Sequence, residues 1–150
     1  MRTILIAFIF VIVSALSVSA EPGLINLKSS HDVKSTADRL EMILKEKGMT
    51  VFLRINHSEG ARKAGAKLRP TELVIFGNPK VGTPLMQCSQ TAAIDLPQKA
   101  LIWQDESGQV WLTYNDPQYL AARHGIDGCQ AVVVKVQTAL KNFTQAATQP

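Results

Sequence analysis

The stretch Thr71–Met86, TELVIFGNPKVGTPLM, constrains this chain more than any other, because a strand, a sharp turn and a helix start lie end to end in it. Leu73-Val74-Ile75-Phe76 is a continuous apolar run bounded by turn residues, the pattern of a buried strand. Gly77-Asn78-Pro79 must end it. Proline has no N–H to give a ladder, and glycine accepts dihedrals that other residues avoid. Thr83-Pro84 then signals a helix start, since threonine is a good N-cap and proline is favoured at the first helical position. Backbone N–H groups left free at such a start form a candidate anion site.

The segments on either side follow the same logic. Leu24–Lys28 reads as a first strand, and Ser29-Ser30 offers an N-cap. Val33, Ala37, Leu40 and Leu44 then share one helical face, with Lys45 and Lys47 near the end and Gly48 placed to close the helix. Met49–Ile55 is a second strand, Asn56–Gly60 a turn, and Glu59–Leu68 a short helix stopped by Pro70. The helix capped by Thr83 is expected to reach Leu96, where Pro97 stops it. Lys99–Gln104 and Val110–Tyr114 form a hairpin around Glu106–Gln109. Asp116-Pro117 repeats the cap-proline signal for a helix to His124, closed by Gly125. A final helix spans about Cys129–Ala146 with Val132, Val136, Ala139 and Phe143 on one face, leaving Thr148–Pro150 as a loose tail. This order lacks the regular alternation of a doubly wound sheet. It predicts an α+β domain: a small, mainly antiparallel sheet with helices on one face.

A chain of 150 residues suits one such domain, taken here as residues 21–147. Met1–Ala20 reads as a signal peptide, with Arg2 at the start, an apolar run from Ile4 to Val13, and small residues before a cut after Ala20. The expected destination is periplasmic or secreted, with no stable membrane anchor after cleavage. The net charge is +4 and scattered. Arg62, Lys63, Lys67 and Arg69 cluster loosely without interleaved aromatics, so nucleic acid is not an expected partner. Cys88 and Cys129 both fall in the exported part, where a disulfide is permitted. Closing their loop would stabilise by roughly 4 kcal/mol in the chain-entropy model. A metal or haem ligand pair and two free thiols are the alternatives, although the spacing fits no zinc pattern.

Candidate chemistry centres on the histidines. His31 sits at a helix start and reads as solvated. His124 reads either as a last-turn residue meeting the helix dipole, or as a general base oriented by Asp116 or Glu72 in a cleft. The competing non-enzymatic reading is a binding module for an anion or apolar small molecule. It gathers Asn78, Gly82, Thr83, Asn115, His57 and His124 where two capped helix starts follow strand ends. His57, His124, Met86 and the cysteines are plausible soft ligands, but nothing orders them into a ligand spacing. No CxxCH, GxSxG, HExxH or P-loop motif occurs; no cofactor is predicted, with a metal- or haem-binding carrier as the alternative. Trp103 and Trp111, on the two hairpin arms, either pair across the strands or line a pocket.

Three separated segments carry a family resemblance: INHSEGARKAG, RPTELVIFGNPKVGTPLMQ and DLPQKALIWQDESGQVWLTYNDPQYLAARHG. In this order they resemble the signature segments of the DUF302 family, over roughly Leu24–Phe143. The resemblance implies one twisted sheet with two main helices, an architecture like that of the TATA-binding protein, and dimers in some members. It implies no catalytic role, because the family has no established activity. A simple version of its pattern lacks Cys88 and Cys129. The pair resembles the mark of an exported subgroup, which favours the disulfide. The fold name carries no implication of DNA binding.

Overall fold

Alternation along three neighbouring strands decides the architecture. In β3 (Thr71–Gly77), β4 (Gln98–Gln104) and β5 (Val110–Asn115), every second residue is buried. Val74, Phe76, Ala100, Ile102, Leu112 and Tyr114 thus point to one side of the sheet. The computed structural model describes residues 22–150, and the predicted leader Met1–Ala20 lies outside them. With β1 (Leu24–Ser29) and β2 (Thr50–Asn56), the strands form one sheet in the order β1-β5-β4-β3-β2, every pairing antiparallel. The class is α+β, as expected.

Two helices cover the buried face. Helix α1 (Val33–Glu46) contributes Val33, Ala37, Leu40 and Leu44, the face read from the sequence. Helix α5 (Gln130–Thr148) contributes Val133, Val136, Leu140 and Ala147, displaced by about one position from the predicted stripe because its partners are α1 and α4 as well as the sheet. The opposite sheet face carries Leu53, Ile55, Leu73, Ile75, Leu101, Trp103 and Trp111, each at least partly exposed. The two tryptophans face each other in the β4–β5 register with stacked rings 6.5 Å apart, which settles their role as a cross-strand pair.

Several predicted boundaries move. The cap of α1 is Asp32, whose Oδ1 accepts from the Ser35 amide at 2.6 Å, and not Ser29 or Ser30. Ser29 is instead buried in β1 and bonded to Thr36 Oγ1 at 2.7 Å. Helix α2 is His57–Lys63, capped by Asn56, so the predicted turn at Asn56–Gly60 is already helical. The tail is not loose through Thr148. Thr148 is buried at the end of α5, and the Gln149 carbonyl accepts hydrogen bonds from His31 Nε2 and Arg39 Nη2. The partly exposed His31 ring is thus also tied to the C-terminal segment.

Arg54 joins β2 to α1 and β3, pairing with Asp38, Glu41 and the buried Glu72. Burial opposes its charge, but hydrogen bonds to Asp38 and Glu72 outweigh that and raise its pKa further. In the β4–β5 hairpin, Asp105 accepts from the Trp111 indole N–H, from the Ser107 hydroxyl and amide, and from the Gln109 amide. These bonds hold its pKa at about 2.

Replacing Leu40, which is fully buried, by alanine should cost about 2–5 kcal/mol in urea unfolding. Met42→Ala, on the exposed side of the same helix, should stay within about 0.5 kcal/mol. Because the folded pKa of Asp105 lies below its unfolded value of about 3.9, its contribution to stability is present above pH 4 and is lost as pH falls towards 2. Asp105→Asn should lower the melting temperature at pH 7, with the gap to the wild type closing as the pH approaches 2.

Candidate functional site

Helix α3 (Pro79–Cys88) begins where β3 ends, with only Asn78 between it and Gly77. Its cap is Asn78, not the predicted Thr83. Asn78 Oδ1 accepts from the Lys80 amide at 2.9 Å, and Pro79 takes the first helical position. Both Asn78-Pro79 and Thr83-Pro84 present the cap-proline signal, and the pair nearest the strand end uses it. Thr83-Pro84 therefore falls inside the helix, together with Gly82. Glycine and proline are the two poorest helix formers, costing about 1 and 3 kcal/mol relative to alanine. Such local disagreement with the fold concentrates at functional positions. The predicted continuation to Leu96 also fails. Ser89 is extended, its hydroxyl donates to the His124 carbonyl at 2.9 Å, and a short 3₁₀ turn over Gln90–Ile94 replaces the helix.

A cleft of about 300 Å³ opens between α3, the 3₁₀ turn, the end of the sheet and Val136 of α5. Its polar edge is Asn78, Thr83 and Gln98, while Met49, Phe52, Val81, Leu85, Met86, Leu96 and Pro97 supply an apolar lining. No Asp, Glu, Lys, Arg or His lines it. Phe52 reaches the cleft from a register shift in β2 between Val51 and Leu53. An added Cβ on Gly82 would lie 3.7 Å from Leu96 Cδ1, an ordinary contact distance. A side chain at Gly82 would therefore meet Leu96, and both residues line the cleft. Leu85, Leu96, Gln98 and Val136 also border a second, water-sized cavity of about 20 Å³, which reaches Asp95 and His124.

Gln98 is 9% exposed and sits at an inward position of β4. Its carboxamide has no hydrogen-bond partner among the described residues. No fully enclosed side-chain nitrogen or oxygen among those residues is left unpaired. The carboxamide therefore keeps some accessible surface, and Gln98 lines both the cleft and the smaller cavity.

The predicted site residues divide. Asn78, Gly82 and Thr83 come together on the cleft. Asn115 is at the same end of the sheet, since β3 and β5 run the same way with β4 between them. Two strand spacings, roughly 10 Å, keep it away from the lining, and it pairs with Leu24 in the β1–β5 ladder. His57 is exposed at the start of α2, beyond the opposite end of the sheet.

The proposed acid partners of His124 do not reach it. Asp116 caps α4 (Pro117–Arg123) by accepting from the Gln118 amide, while His124 closes the other end of that helix. The two turns between them span roughly 11 Å. Glu72 is at the far end of β3, held by Arg54 and Asn56. His124 instead pairs with Asp95. Its ring is 6% exposed, Nε2 is 2.6 Å from Asp95 Oδ2, and Nδ1 is 3.2 Å from Thr91 Oγ1. Arg123 also approaches Asp95 at 3.5 Å. This cluster fastens the 3₁₀ turn to α4, and with it the wall Ala93–Gln98.

The anion reading loses its donors. Pro79 has no N–H, the Lys80 amide bonds to the Asn78 side chain, and the Val81 and Gly82 amides bond to the Asn78 carbonyl. The Asn78 amide nitrogen donates to Gly48 O at 2.9 Å, which pins the cleft's floor to the end of α1. Cys88 and Cys129 form a disulfide that ties the end of α3 to the start of α5. Among the described residues, no group of three or more His, Cys, Asp or Glu side chains is placed to hold a metal ion. No helix there is long and apolar enough to cross a membrane.

Sequence reasoning passed over Asp95 and Gln98. Gln98 carries a signal, a polar residue in phase with buried Ala100 and Ile102. Asp95 carries none, since only the fold brings it to His124.

A one-sheet α+β domain with an apolar cleft at the strand-to-helix end defines the class. The chain belongs to the family described as "Domain of unknown function DUF302", which matches residues 25–146. The crystal structure of an uncharacterised conserved DUF302 protein from Bacillus stearothermophilus superposes with a TM-score of 0.76. It covers 85% of this chain and 99% of that one at 17% identity, a likeness of fold. Proteins named fluoride-specific ion channel FluC 1 in Brucella suis and Brucella abortus are 49% identical over 115 residues, 77% of this chain. The chain spans only 45% and 43% of their lengths.

Removing the disulfide as Cys88→Ser/Cys129→Ser should lower stability by about 2–5 kcal/mol, measured by urea unfolding. Alkylation of the non-reduced wild type under denaturing conditions should label no thiol.

Proposed function

We propose that this chain is a non-enzymatic module that binds a small molecule in the cleft beside α3, and that it works outside the cytoplasm. The observation that carries this reading is the cleft itself, a lined cavity of ligand size with a helical glycine, Gly82, in its wall. Its lining favours an apolar body over a free anion, because the helix-start amides are already bonded within the chain. The leader-like Met1–Ala20 and the paired cysteines support export, since disulfides persist in oxidising compartments.

A second reading rests on the curated relatives. Their names point to fluoride transport, and the 49% identity supports a role for this domain beside a fluoride channel. The cleft has no cationic lining, so on this reading the domain would act as an accessory rather than as the fluoride site. Deleting the gene should then sensitise cells to fluoride, and unchanged growth would remove this reading.

The main reading is tested by Gly82→Leu. The new side chain enters the cleft, and replacing a mid-helix glycine should stabilise the free chain by roughly 0.5–1 kcal/mol. In a thermal-shift screen of small metabolites, hits on the wild type should vanish for this variant while its own melting temperature holds or rises. A wild type that answers no compound would refute the binding module.

A further inference from the structure

We propose that the cleft selects an uncharged ligand, a compact apolar body bearing one donor–acceptor head, and that Gln98 is the residue that reads the head. This rests on the binding reading above and names the class of molecule bound. Three observations carry it.

The first is charge. No ionisable side chain lines the cleft. A carboxylate, phosphate or ammonium buried there would give up its hydration without a counter-charge, the costliest form of burial. Asp95, which meets His124 and Arg123, borders the adjoining 20 Å³ cavity and is not among the residues that line the cleft.

The second is the unmatched carboxamide. Gln98 is nine-tenths buried, lines both the cleft and the adjoining small cavity, and has no partner among the described residues for either its C=O or its NH₂. A buried amide presents one acceptor and two donors. The complementary head is a neutral group that both donates and accepts, such as a carboxamide or lactam, and pairing leaves neither side unsatisfied. Asn78 offers less, because its amide is already committed to Lys80 and Gly48.

The third is the body. Met49, Phe52, Leu85, Met86 and Leu96 form an apolar wall. Methionine adapts to irregular shapes and makes favourable sulfur–aromatic contacts, which suits a ring. At about 30 Å³ per water-sized group, a 300 Å³ cleft accepts on the order of ten non-hydrogen atoms.

The test titrates the full-length chain with benzamide, with its charged counterparts benzoate and benzylammonium, and with ethylbenzene, followed by NMR shifts of Gly77, Gly82 and Gln98. Benzamide should bind tightest. Gln98→Leu should weaken benzamide by about tenfold while leaving ethylbenzene within about twofold. Gln98→Glu guards against a folding artefact, because it keeps the side chain's shape and should reverse the order, losing benzamide and gaining benzylammonium. If benzoate or benzylammonium binds the wild-type cleft as well as benzamide does, the neutral class is overturned and the binding reading stands. If benzamide affinity is unchanged in both Gln98 variants, Gln98 is not the reader and the inference fails. If all four molecules leave the three resonances unmoved at millimolar concentration, the inference and the binding reading fail together.

Discussion

One-sided burial of the sheet is the constraint from which the rest follows. Helices α1 and α5 lie on a single face, so each central strand must alternate, and a slip of one residue would turn Val74, Phe76, Ile102 and Leu112 out of the core. The same arrangement fixes where the chain turns. All pairings are antiparallel, so β3 and β5 end at one edge of the sheet, and both continue into proline-started helices there. That edge is where a covering layer is assembled from short pieces, and the cleft is the space those pieces leave.

Three kinds of bond hold the short pieces. Asn78 works at both ends of its side chain, capping α3 and gripping the carbonyl of Gly48 after α1. The disulfide anchors the other end of α3 to α5. Asp95 and His124 fasten the 3₁₀ turn to α4. With the frame secured by these ties, α3 tolerates Gly82 and Pro84, residues that would weaken a free helix. The wall of the cleft is thus poor in intrinsic helix propensity and rich in tethers. In this frame His124 and Asp116 do structural work, His124 as half of a part-buried pair with Asp95 and Asp116 as a helix cap.

Legibility followed the range of the interactions. The face of α1, the hairpin, the Asp116 cap and the central strand were readable because each rests on residues within a few positions of one another. The start of α3 was misplaced because two cap-proline pairs compete five residues apart, and their local chemistry is the same. Nothing local told which one the strand end would feed. The tail was misread because Gln149 is polar, and its partners His31 and Arg39 belong to the other end of the described chain. Of the expected lip, Asn78, Gly82 and Thr83 border the cleft, whereas Asn115, His57 and His124 do not.

By itself, then, the sequence determined the class of fold, its antiparallel strands and the family to which the chain belongs. Alternation, caps and proline positions are short-range physics, legible residue by residue. Only the tertiary structure decided which polar groups share the cleft, that Asp95 rather than Asp116 or Glu72 meets His124, and that Gln98 lines the cleft without a partner among the described residues. The reason is physical: a side chain's partner across the fold depends on how whole elements pack, and the energy of that packing is spread over many apolar contacts that no single motif records.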